Sequence, residues 1–322
     1  MKPILTAEKV TMEFEVRKKL FGSQPLRAVD SVDLELMPKE IVGIVGESGS
    51  GKTTLGRLVL RLLKPTSGRI LYKGEDISQT SEGSLKIFRR RVQGIFQDPS
   101  ASIDSFMNIL QITEEPLVIH KLGDSEERKQ MVNQALADVK LTPPDEFLPK
   151  YSHTLSGGQR QRLAIGRALI LKPDIIVADE PVSMIDASSR AEILFLFKEL
   201  RDKHDISIIY ITHDIATAGY FCQRIGVMYL GKIVELGPAR DVVRQPLHPY
   251  TKALIAAVPY PDPSNRFAER PVIPGEPPNP LNVPSGCPFH PRCPGFIPGT
   301  CDIEPPPAKE AKPGHTTTCH LY

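Results

Sequence analysis

Short, continuous apolar runs along the first 258 residues predict strands that are covered on both faces. The three clearest are residues 41–45 (IVGIV), 175–178 (IIVA) and 206–211 (ISIIYI). Runs of this length without alternation are typical of parallel sheets. Each run is followed by polar residues, and ligands of open α/β sheets bind beyond the carboxyl ends of the strands. We therefore expect the three strands to deliver polar side chains to one crevice.

In other segments the apolar residues recur with a different spacing. Residues 125–141, SEERKQMVNQALADVKL, place Met131, Ala135 and Val139 four apart, with Val132 and Leu136 beside them. This spacing predicts an amphipathic helix. The N-terminal segments VTMEF, VDSVDLEL and GRILYKG alternate more and predict antiparallel strands.

Proline marks a boundary near residue 258. Of the 31 prolines, 17 lie in residues 259–322. Such a segment buries little apolar surface by itself, so it predicts a loop-like tail. The expected organisation is one domain over residues 1–258 and an extension over residues 259–322.

Composition narrows the class of protein. The chain has 322 residues, of which 40% are hydrophobic and 24% charged, as in globular proteins with a sizeable core. A formal charge of +2 gives no electrostatic argument for a nucleic-acid partner. No apolar run is long enough to span a bilayer, and MKPILTAEKV lacks the apolar core of a secretory signal. We expect a cytoplasmic protein that serves a membrane only through a partner.

The sequence GESGSGKTT fits the phosphate-loop pattern G-x-x-x-x-G-K-[ST]. It follows a predicted buried strand and precedes the apolar helix LGRLVLRLL, which is the context that the motif requires. Lys52 is expected at the terminal phosphates, and the Thr53 hydroxyl on Mg²⁺. The residues predicted to bind the nucleotide here are Gly46, Glu47, Ser48, Gly49, Ser50, Gly51, Lys52, Thr53 and Thr54.

Two carboxylates end the strand in IIVADEP. Asp179 is expected to hold Mg²⁺, directly or through water. Glu180 is one residue further out, where a carboxylate can polarise a water that attacks ATP. The alternative is an acidic turn in solvent, which the buried strand before it disfavours.

Ser156, Gly157 and Gly158 stand at the start of a predicted helix that runs to about Leu171 and stops before Pro173. The helix dipole and the two glycines suit a second phosphate site. A simple helix cap explains the same residues equally well.

The motifs together resemble those of the ATP-binding cassette (ABC) ATPases. LSGGQ before the IIVADEP strand is similar to the family signature, Gln97 in IFQDP to the Q-loop, SMID at residues 183–186 to the D-loop, and His213 in ITHD to the switch histidine. The resemblance covers about residues 4–258. It implies an α/β P-loop NTPase with a parallel core sheet, an antiparallel β subdomain and a helical signature subdomain. Met184-Ile185 departs from the common Ala-Leu, which implies tuning of the dimer contact.

The same resemblance implies that two cassettes pack head to tail, each closing its signature over ATP held by the other. Closure would exclude water from the triphosphate and Mg²⁺. Gln97 is then expected on Mg²⁺ and His213 at the γ-phosphate. Phe14, or alternatively Phe21, is expected to stack on adenine. The signature and D-loop residues expected at the partner's nucleotide are Ser156, Gly157, Gly158, Gln159 and Asp186.

The segment HPYTKALIAAVP and the tail with GCPFHPRCP resemble the C-terminal extension of oligopeptide and dipeptide importer ATPases. The continuation of the phosphate loop, GKTTLGR, resembles the same segment in one of the two paralogous ATPases of such systems. This resemblance implies a heterodimer. Some family members carry a [4Fe–4S] cluster in this tail. Four of the five cysteines match, spaced C-x5-C-x7-C-x17-C: Cys287, Cys293, Cys301 and Cys319.

Zinc is the alternative metal, with His290, His315 or His320 as further ligands, although zinc sites usually have tighter cysteine pairs. Unligated cysteines or adventitious disulfides are the third interpretation.

The resemblance implies the ATP-hydrolysing subunit of a peptide importer, at the cytoplasmic face of the cell membrane. Its expected partners are two permease subunits, a second ATPase and, indirectly, an extracellular binding protein. The alternatives are import of oligosaccharides or other small solutes, and a soluble ABC ATPase without a transport role.

Overall fold

The apolar runs form fully buried strands. The computed structural model describes residues 2–17, 23–99, 103–258 and 275–322. The first run is a strand over Ile41–Val45, as predicted residue for residue. The other two are strands over Ile175–Asp179 and Ser207–Thr212, and every residue in all three is buried.

The strands of the described residues follow one another in this order: β1 (Leu5–Arg17), β2 (Ser23–Leu36), β3 (Ile41–Val45), β4 (Ser67–Tyr72), β5 (Glu75–Asp76), β6 (Val92–Ile95), β7 (Ile175–Asp179), β8 (Ser207–Thr212), β9 (Arg224–Tyr229), β10 (Lys232–Pro238), β11 (Ala308–Lys312) and β12 (His315–Thr318).

The helices of the same residues are α1 (Lys52–Val59), α2 (Lys86–Arg91), α3 (Ile109–Ile119), α4 (Ser125–Asp138), α5 (Pro144–Phe147), α6 (Gly157–Leu169), α7 (Ala187–His204), α8 (Ile215–Phe221), α9 (Ala239–Arg244) and α10 (Pro249–Ala256). None is long and apolar enough, within the described residues, to cross a membrane.

The chain divides into two compact units. The first unit comprises the first two residues, Met37–Glu40 and Thr80–Ile209. In it β6 pairs with β7 in parallel, and β8, whose residues are shared between the units, follows β7 in the strand order. Helices α3, α4 and α6 pack on one another. This three-helix group agrees with the predicted helical subdomain.

Helix α4 begins where the sequence predicts it and ends three residues early. Its N-cap Asp124 accepts hydrogen bonds from the N–H groups of Glu126 and Glu127, and the Glu127 side chain accepts one from the N–H group of Asp124. Such a capping box satisfies donors that the first turn leaves unpaired. Val132 and Leu136 are fully buried, as the predicted apolar face requires.

The second unit comprises Pro3–Leu36, Ile41–Gln79 and Tyr210–Tyr322. It contains a four-stranded antiparallel sheet in the order β2-β1-β4-β5, as the alternating N-terminal segments predict. It also contains the strand order β11-β12-β10-β9-β3, in which β3 and β9 are parallel and the remaining pairs are antiparallel.

The prediction of a loop-like tail is wrong for residues 308–318. These residues form β11 and β12, and β12 pairs with β10 through Glu235 opposite Thr317 and Leu236 opposite Thr316. The threonines are β-branched and suit a strand, but proline dominates the composition of the surrounding tail. The second hydrogen-bonding partner of β12 is β10, a strand about 80 positions earlier in the chain.

Candidate functional site

The predicted phosphate loop lies between β3 and α1. Gly51 immediately precedes α1 and has a φ of 103°. A Cβ atom on Gly51 would lie 2.2 Å from the carbonyl oxygen of Ala28, and one on Gly46 would lie 2.2 Å from that of Met228. Close packing, and at Gly51 also the left-handed backbone, therefore requires glycine at these two positions.

Lys52 is buried, with 5% of its surface exposed. Its Nζ donates to the carbonyl oxygens of Gly46 and Glu47, at 2.8 Å each, and lies 3.4 Å from Oγ of Ser50. A buried ammonium group needs such acceptors to offset its lost hydration. The loop thus holds the positive charge of Lys52 against its own carbonyl oxygens.

Asp179 is the buried last residue of β7, and Glu180 follows it with a φ of 47°. This left-handed conformation is uncommon for a residue with a side chain. It is held by the Glu180 carbonyl, which accepts bonds from the N–H group (3.2 Å) and the Oγ hydroxyl (3.0 Å) of Ser183. Strained backbone of this kind is frequent at functional sites.

The signature segment begins α6 with a capping box. The Ser156 hydroxyl accepts a bond from the N–H of Gln159 at 3.2 Å, and the Gln159 side chain accepts one from the N–H of Ser156 at 3.0 Å. The helix-cap interpretation is therefore correct, and it leaves the phosphate interpretation open. A Cβ on Gly158 would lie 3.0 Å from Oγ of Ser189 in α7, so this glycine lets the two helices approach.

The D-loop is brought close to the signature glycines within the first unit. A Cβ on Gly157 would lie 3.5 Å from Cγ2 of Ile185. Asp186 caps α7 by accepting a bond from the N–H of Ser189 at 3.0 Å. Hydrogen bonds from Ser188 and Ser189 lower the pKa of Asp186 far below its usual range, so its carboxylate is ionised.

The remaining predicted residues lie at element ends or on strands. Gln97 is exposed two residues after β6, and His213 is exposed directly after β8. Phe14 is partly exposed on β1, opposite Leu26 of β2. Phe21 lies outside the described residues. Gln97, Asp179, Glu180, Asp186 and the signature belong to the first unit, whereas the phosphate loop, His213 and Phe14 belong to the second.

The four tail cysteines are free thiols in the second unit. Burial and then the charges of the other three thiols raise the pKa of Cys287 to about 11. Burial also raises the pKa of Cys293 and of Cys319. The described residues nevertheless contain no group of three or more His, Cys, Asp or Glu side chains that could hold a metal ion. The metal prediction is therefore not confirmed.

The three histidines named as alternative zinc ligands each have a ring nitrogen engaged elsewhere. His315 Nε2 lies 2.7 Å from Oε1 of Glu235. His290 Nδ1 lies 3.0 Å from the carbonyl oxygen of Cys287, and His320 Nε2 lies 2.8 Å from that of Glu304. These contacts give no support to histidine ligation of zinc.

Comparison with known proteins agrees with the motifs. The family model described as ABC transporter matches residues 29–183, and the model described as oligopeptide/dipeptide transporter, C-terminal region, matches residues 234–301. A putative peptide import ATP-binding protein of Brucella ovis is 44% identical over 98% of this chain and 97% of its own length. The oligopeptide transport ATP-binding protein AppF of Bacillus subtilis is 44% identical over 99% and 97%.

Two solved structures are similar as well. The dimeric ATP-binding cassette MJ0796, bound to ADP and Pi, has a TM-score of 0.65 and 29% identity, covering 73% of this chain and 99% of that one. The cbiO1 protein of Clostridium perfringens, part of the ABC transporter complex cbiONQ, has a TM-score of 0.66 and 27% identity, covering 76% and 92%.

The chain belongs to the ABC transporter family of ATP-binding proteins. It is an ABC ATPase that binds ATP with Mg²⁺ and couples its hydrolysis to transport. ABC ATPases of importers work with transmembrane permease partners and dimerise. The predicted cassette fold and the ATPase activity are thereby confirmed.

The phosphate loop of this ABC ATPase also has contacts that the sequence did not reveal. The Tyr250 hydroxyl accepts a bond from the N–H of Glu47 at 2.9 Å. The Arg292 guanidinium group pairs with the Glu47 carboxylate, with Nη1 at 3.1 Å and Nη2 at 3.4 Å from its oxygens. No local sequence pattern predicts either contact, because Tyr250 and Arg292 each lie more than 200 positions from Glu47 along the chain.

Proposed function

We propose that this ABC ATPase powers the import of peptides. The observation that carries the proposal is the match of residues 234–301 to the C-terminal region of oligopeptide/dipeptide transporters, a segment that begins after the residues matched by the ABC transporter model. Relatives that are 44% identical over nearly the whole chain are named as peptide or oligopeptide transport proteins. This ATPase need not touch the solute, so import of oligosaccharides or other small solutes is the alternative that the experiment must separate.

The proposed chemistry assigns each motif residue a role. Residues 46–54 surround the phosphates, with Lys52 at the terminal phosphates. Thr53, Gln97 and Asp179 bind Mg²⁺, directly or through water. Glu180 polarises the attacking water and His213 orients it at the γ-phosphate. Phe14 stacks on adenine. Ser156, Gly157, Gly158, Gln159 and Asp186 act on the nucleotide held by the second ATPase, so that neither half-site is complete alone.

The proposed assembly has two permease subunits and a second, paralogous ATPase, with an extracellular binding protein that delivers the solute. It places this chain at the cytoplasmic face of the cell membrane. Residues 1–258 act as the motor, and residues 259–322 form an extension specific to this importer class.

We further propose a [4Fe–4S] cluster on Cys287, Cys293, Cys301 and Cys319. The support is that four free, mostly buried thiols influence one another's charge in one part of the tail. Thiolates are the ligands that such clusters use. When bound, the cluster would cross-link a tail that is rich in proline and poor in apolar residues.

The transport proposal is tested by co-expressing the chain with the permease, ATPase and binding-protein products of neighbouring genes. The purified complex is reconstituted in proteoliposomes, and ATP hydrolysis is measured with the binding protein plus mixed di- and oligopeptides, or plus oligosaccharides. Peptide-dependent stimulation is expected. Stimulation by oligosaccharides alone would reject the peptide proposal, and failure to co-purify with any permease would favour a non-transport ATPase.

The cluster proposal is tested on protein purified without oxygen. About four irons and four sulfides per chain, with a brown colour, are expected. The Cys301→Ser variant should lose the colour, whereas Cys222→Ser, outside the tail, should keep it. One zinc per chain in a colourless sample would reject the cluster.

A further inference from the structure

The tail holds the phosphate loop through one buried arginine. Arg292 ends the 3₁₀ turn His290–Arg292, between Cys287 and Cys293, and only 5% of its side chain is exposed. Its two terminal nitrogens face the two oxygens of Glu47, and Nη1 also lies 3.5 Å from the Tyr229 hydroxyl. A guanidinium group fixes a carboxylate in orientation as well as position, because it uses two donors at once.

Glu47 is in turn fixed at its backbone. Its N–H group donates to the buried Tyr250 hydroxyl at 2.9 Å. Its carbonyl oxygen accepts bonds from Lys52 Nζ at 2.8 Å and from the N–H of Ser50 at 3.2 Å. Glu47 therefore connects the tail, through its side chain, with the lysine that the proposed function places at the phosphates.

The arginine is anchored by an aromatic cluster that contains one tail residue. Phe289 lies 5.4 Å, centroid to centroid, from both Tyr229 and Tyr250, which are themselves 4.6 Å apart. The Phe289 carbonyl accepts a bond from the N–H of Arg292 at 3.0 Å. Phe289 is 1% exposed, so the turn that carries Arg292 has little freedom to move.

A second tail segment borders the same loop. Residues Glu276–Pro280 line a cavity together with Glu47, Ser48, Gly49 and Ser50. Next to this segment, the carbonyl oxygen of Leu281 accepts a 2.7 Å bond from the side chain of Gln24 in β2. The tail thus lies along the loop over several residues instead of meeting it at a single contact.

We propose that Arg292 is a positioning residue for the phosphate loop, and that the tail thereby sets the affinity of the ATPase for nucleotide. The proposal rests on the proposed phosphate-binding role of residues 46–54. Arg292 is buried, with 5% of its side chain exposed, and Glu47 is partly buried, with 27% exposed, so loss of either partner leaves a desolvated charge without its counterion, and the loop is then free to shift. In the Arg292 variants such a shift lowers affinity without removing a group that the proposed function places at the nucleotide.

The experiment measures binding of fluorescent MANT-ATP to the full chain, and KM and kcat for ATP hydrolysis by the chain in complex with the second ATPase. Arg292→Ala and Glu47→Gln are each expected to weaken binding about tenfold, within the roughly 5–150-fold typical of coupled sites, and to raise KM more than they lower kcat. The affinity of the double variant should be no lower than that of the single variant that binds less tightly, because each single substitution already removes the same ion pair. Arg292→Lys should recover part of the affinity.

Lys312→Ala is the matched control, since this tail lysine bonds the exposed side chain of Gln245 and not the loop. It should bind MANT-ATP like the unmodified chain. Unchanged affinity in Arg292→Ala, or additive losses in the double variant, would overturn the proposal. Should Arg292→Ala fail to fold, Glu47→Gln alone decides, because unchanged affinity there is equally incompatible. Normal binding by Lys52→Ala would instead reject the phosphate-loop role itself.

Discussion

The Nε2 atom of His315 lies 2.7 Å from Oε1 of Glu235, and both side chains are completely buried. The same carboxylate accepts bonds from the N–H groups of Leu247 and His248 at 2.9 and 2.8 Å. His315 stands on β12 of the tail and Glu235 on β10. A Cβ on Gly237 would lie 2.6 Å from the His315 ring, so glycine makes room for this contact.

Replacing Glu235 by Ala should therefore destabilise the protein strongly. The change leaves a buried imidazole and two backbone N–H groups without their acceptor, at a cost of about 3–5 kcal/mol in the free energy of unfolding. Urea unfolding of the full chain at pH 7 measures it. Glu8→Ala is the control, because Glu8 pairs with Arg69 at the surface and should lose at most about 1 kcal/mol. Equal losses in the two variants would contradict the structural role of the buried pair.

Replacing Glu180 by Gln should separate binding from hydrolysis. The amide keeps the size of the side chain but accepts no proton, so phosphate release should fall by about 100-fold or more while ATP still binds. With ATP and the second ATPase, the variant should elute as a dimer in size-exclusion chromatography. Glu192→Gln, on the exposed surface of α7, serves as the control. Normal turnover in Glu180→Gln would remove this carboxylate from the proposed mechanism.

The stability of the protein should fall in mild acid because of His248. Burial, with a smaller effect of Lys252, lowers the pKa of His248 to about 3, whereas the unfolded chain titrates near its ordinary value of 6.5. Between these values the unfolded state binds more protons, so stability is complete above about pH 6.5 and declines towards pH 3. From pH 7 to 4.5 this residue should account for roughly 2–3 kcal/mol.

The matched variant is His248→Asn. The histidine caps α10 by accepting a bond from the N–H of Tyr250 at 3.0 Å, and asparagine can keep such a cap without titrating. Urea unfolding at both pH values should show a smaller acid loss in the variant. Protonation of carboxylates lowers the free energy of unfolding equally in both proteins, so its contribution cancels in the comparison. An identical acid loss would show that His248 does not titrate as argued.

The Cys287 thiol of metal-free protein should react slowly with iodoacetamide. The thiolate is the reactive form, and burial with the neighbouring thiols raises the pKa of Cys287 to about 11. Labelling of Cys287, followed by mass spectrometry, should therefore rise with pH through about 11, whereas the urea-unfolded chain should follow the ordinary thiol pKa near 8.5. Rapid labelling of the folded chain at pH 7 would contradict the raised pKa.

Much of the cassette could be predicted because its signals are local. β3 agrees with its apolar run residue for residue, since a strand buried on both faces needs no information from its neighbours to be recognised. The phosphate loop and the α6 cap are also written in a few adjacent residues. Helix α6 ends at Leu169, two residues before the predicted end, because the limit set by Pro173 is only approximate.

The tail resisted prediction because its order depends on partners far away in the chain. The strand His315–Thr318 is too short to be stable alone and acquires its ladder from β10. Arg292 resembles any basic residue of a polar tail until the fold brings it to Glu47, 245 positions earlier.

The sequence by itself determined the class of protein, the buried strands, the phosphate loop and the order of the ATPase motifs. All of these depend on residue spacing within a few turns or one strand, where covalent geometry limits the outcome. Only the tertiary structure decided that the proline-rich tail adds strands to a sheet and reaches the phosphate loop. Such contacts result from long-range packing, in which burial of charge and apolar surface selects among pairings that the local sequence does not distinguish.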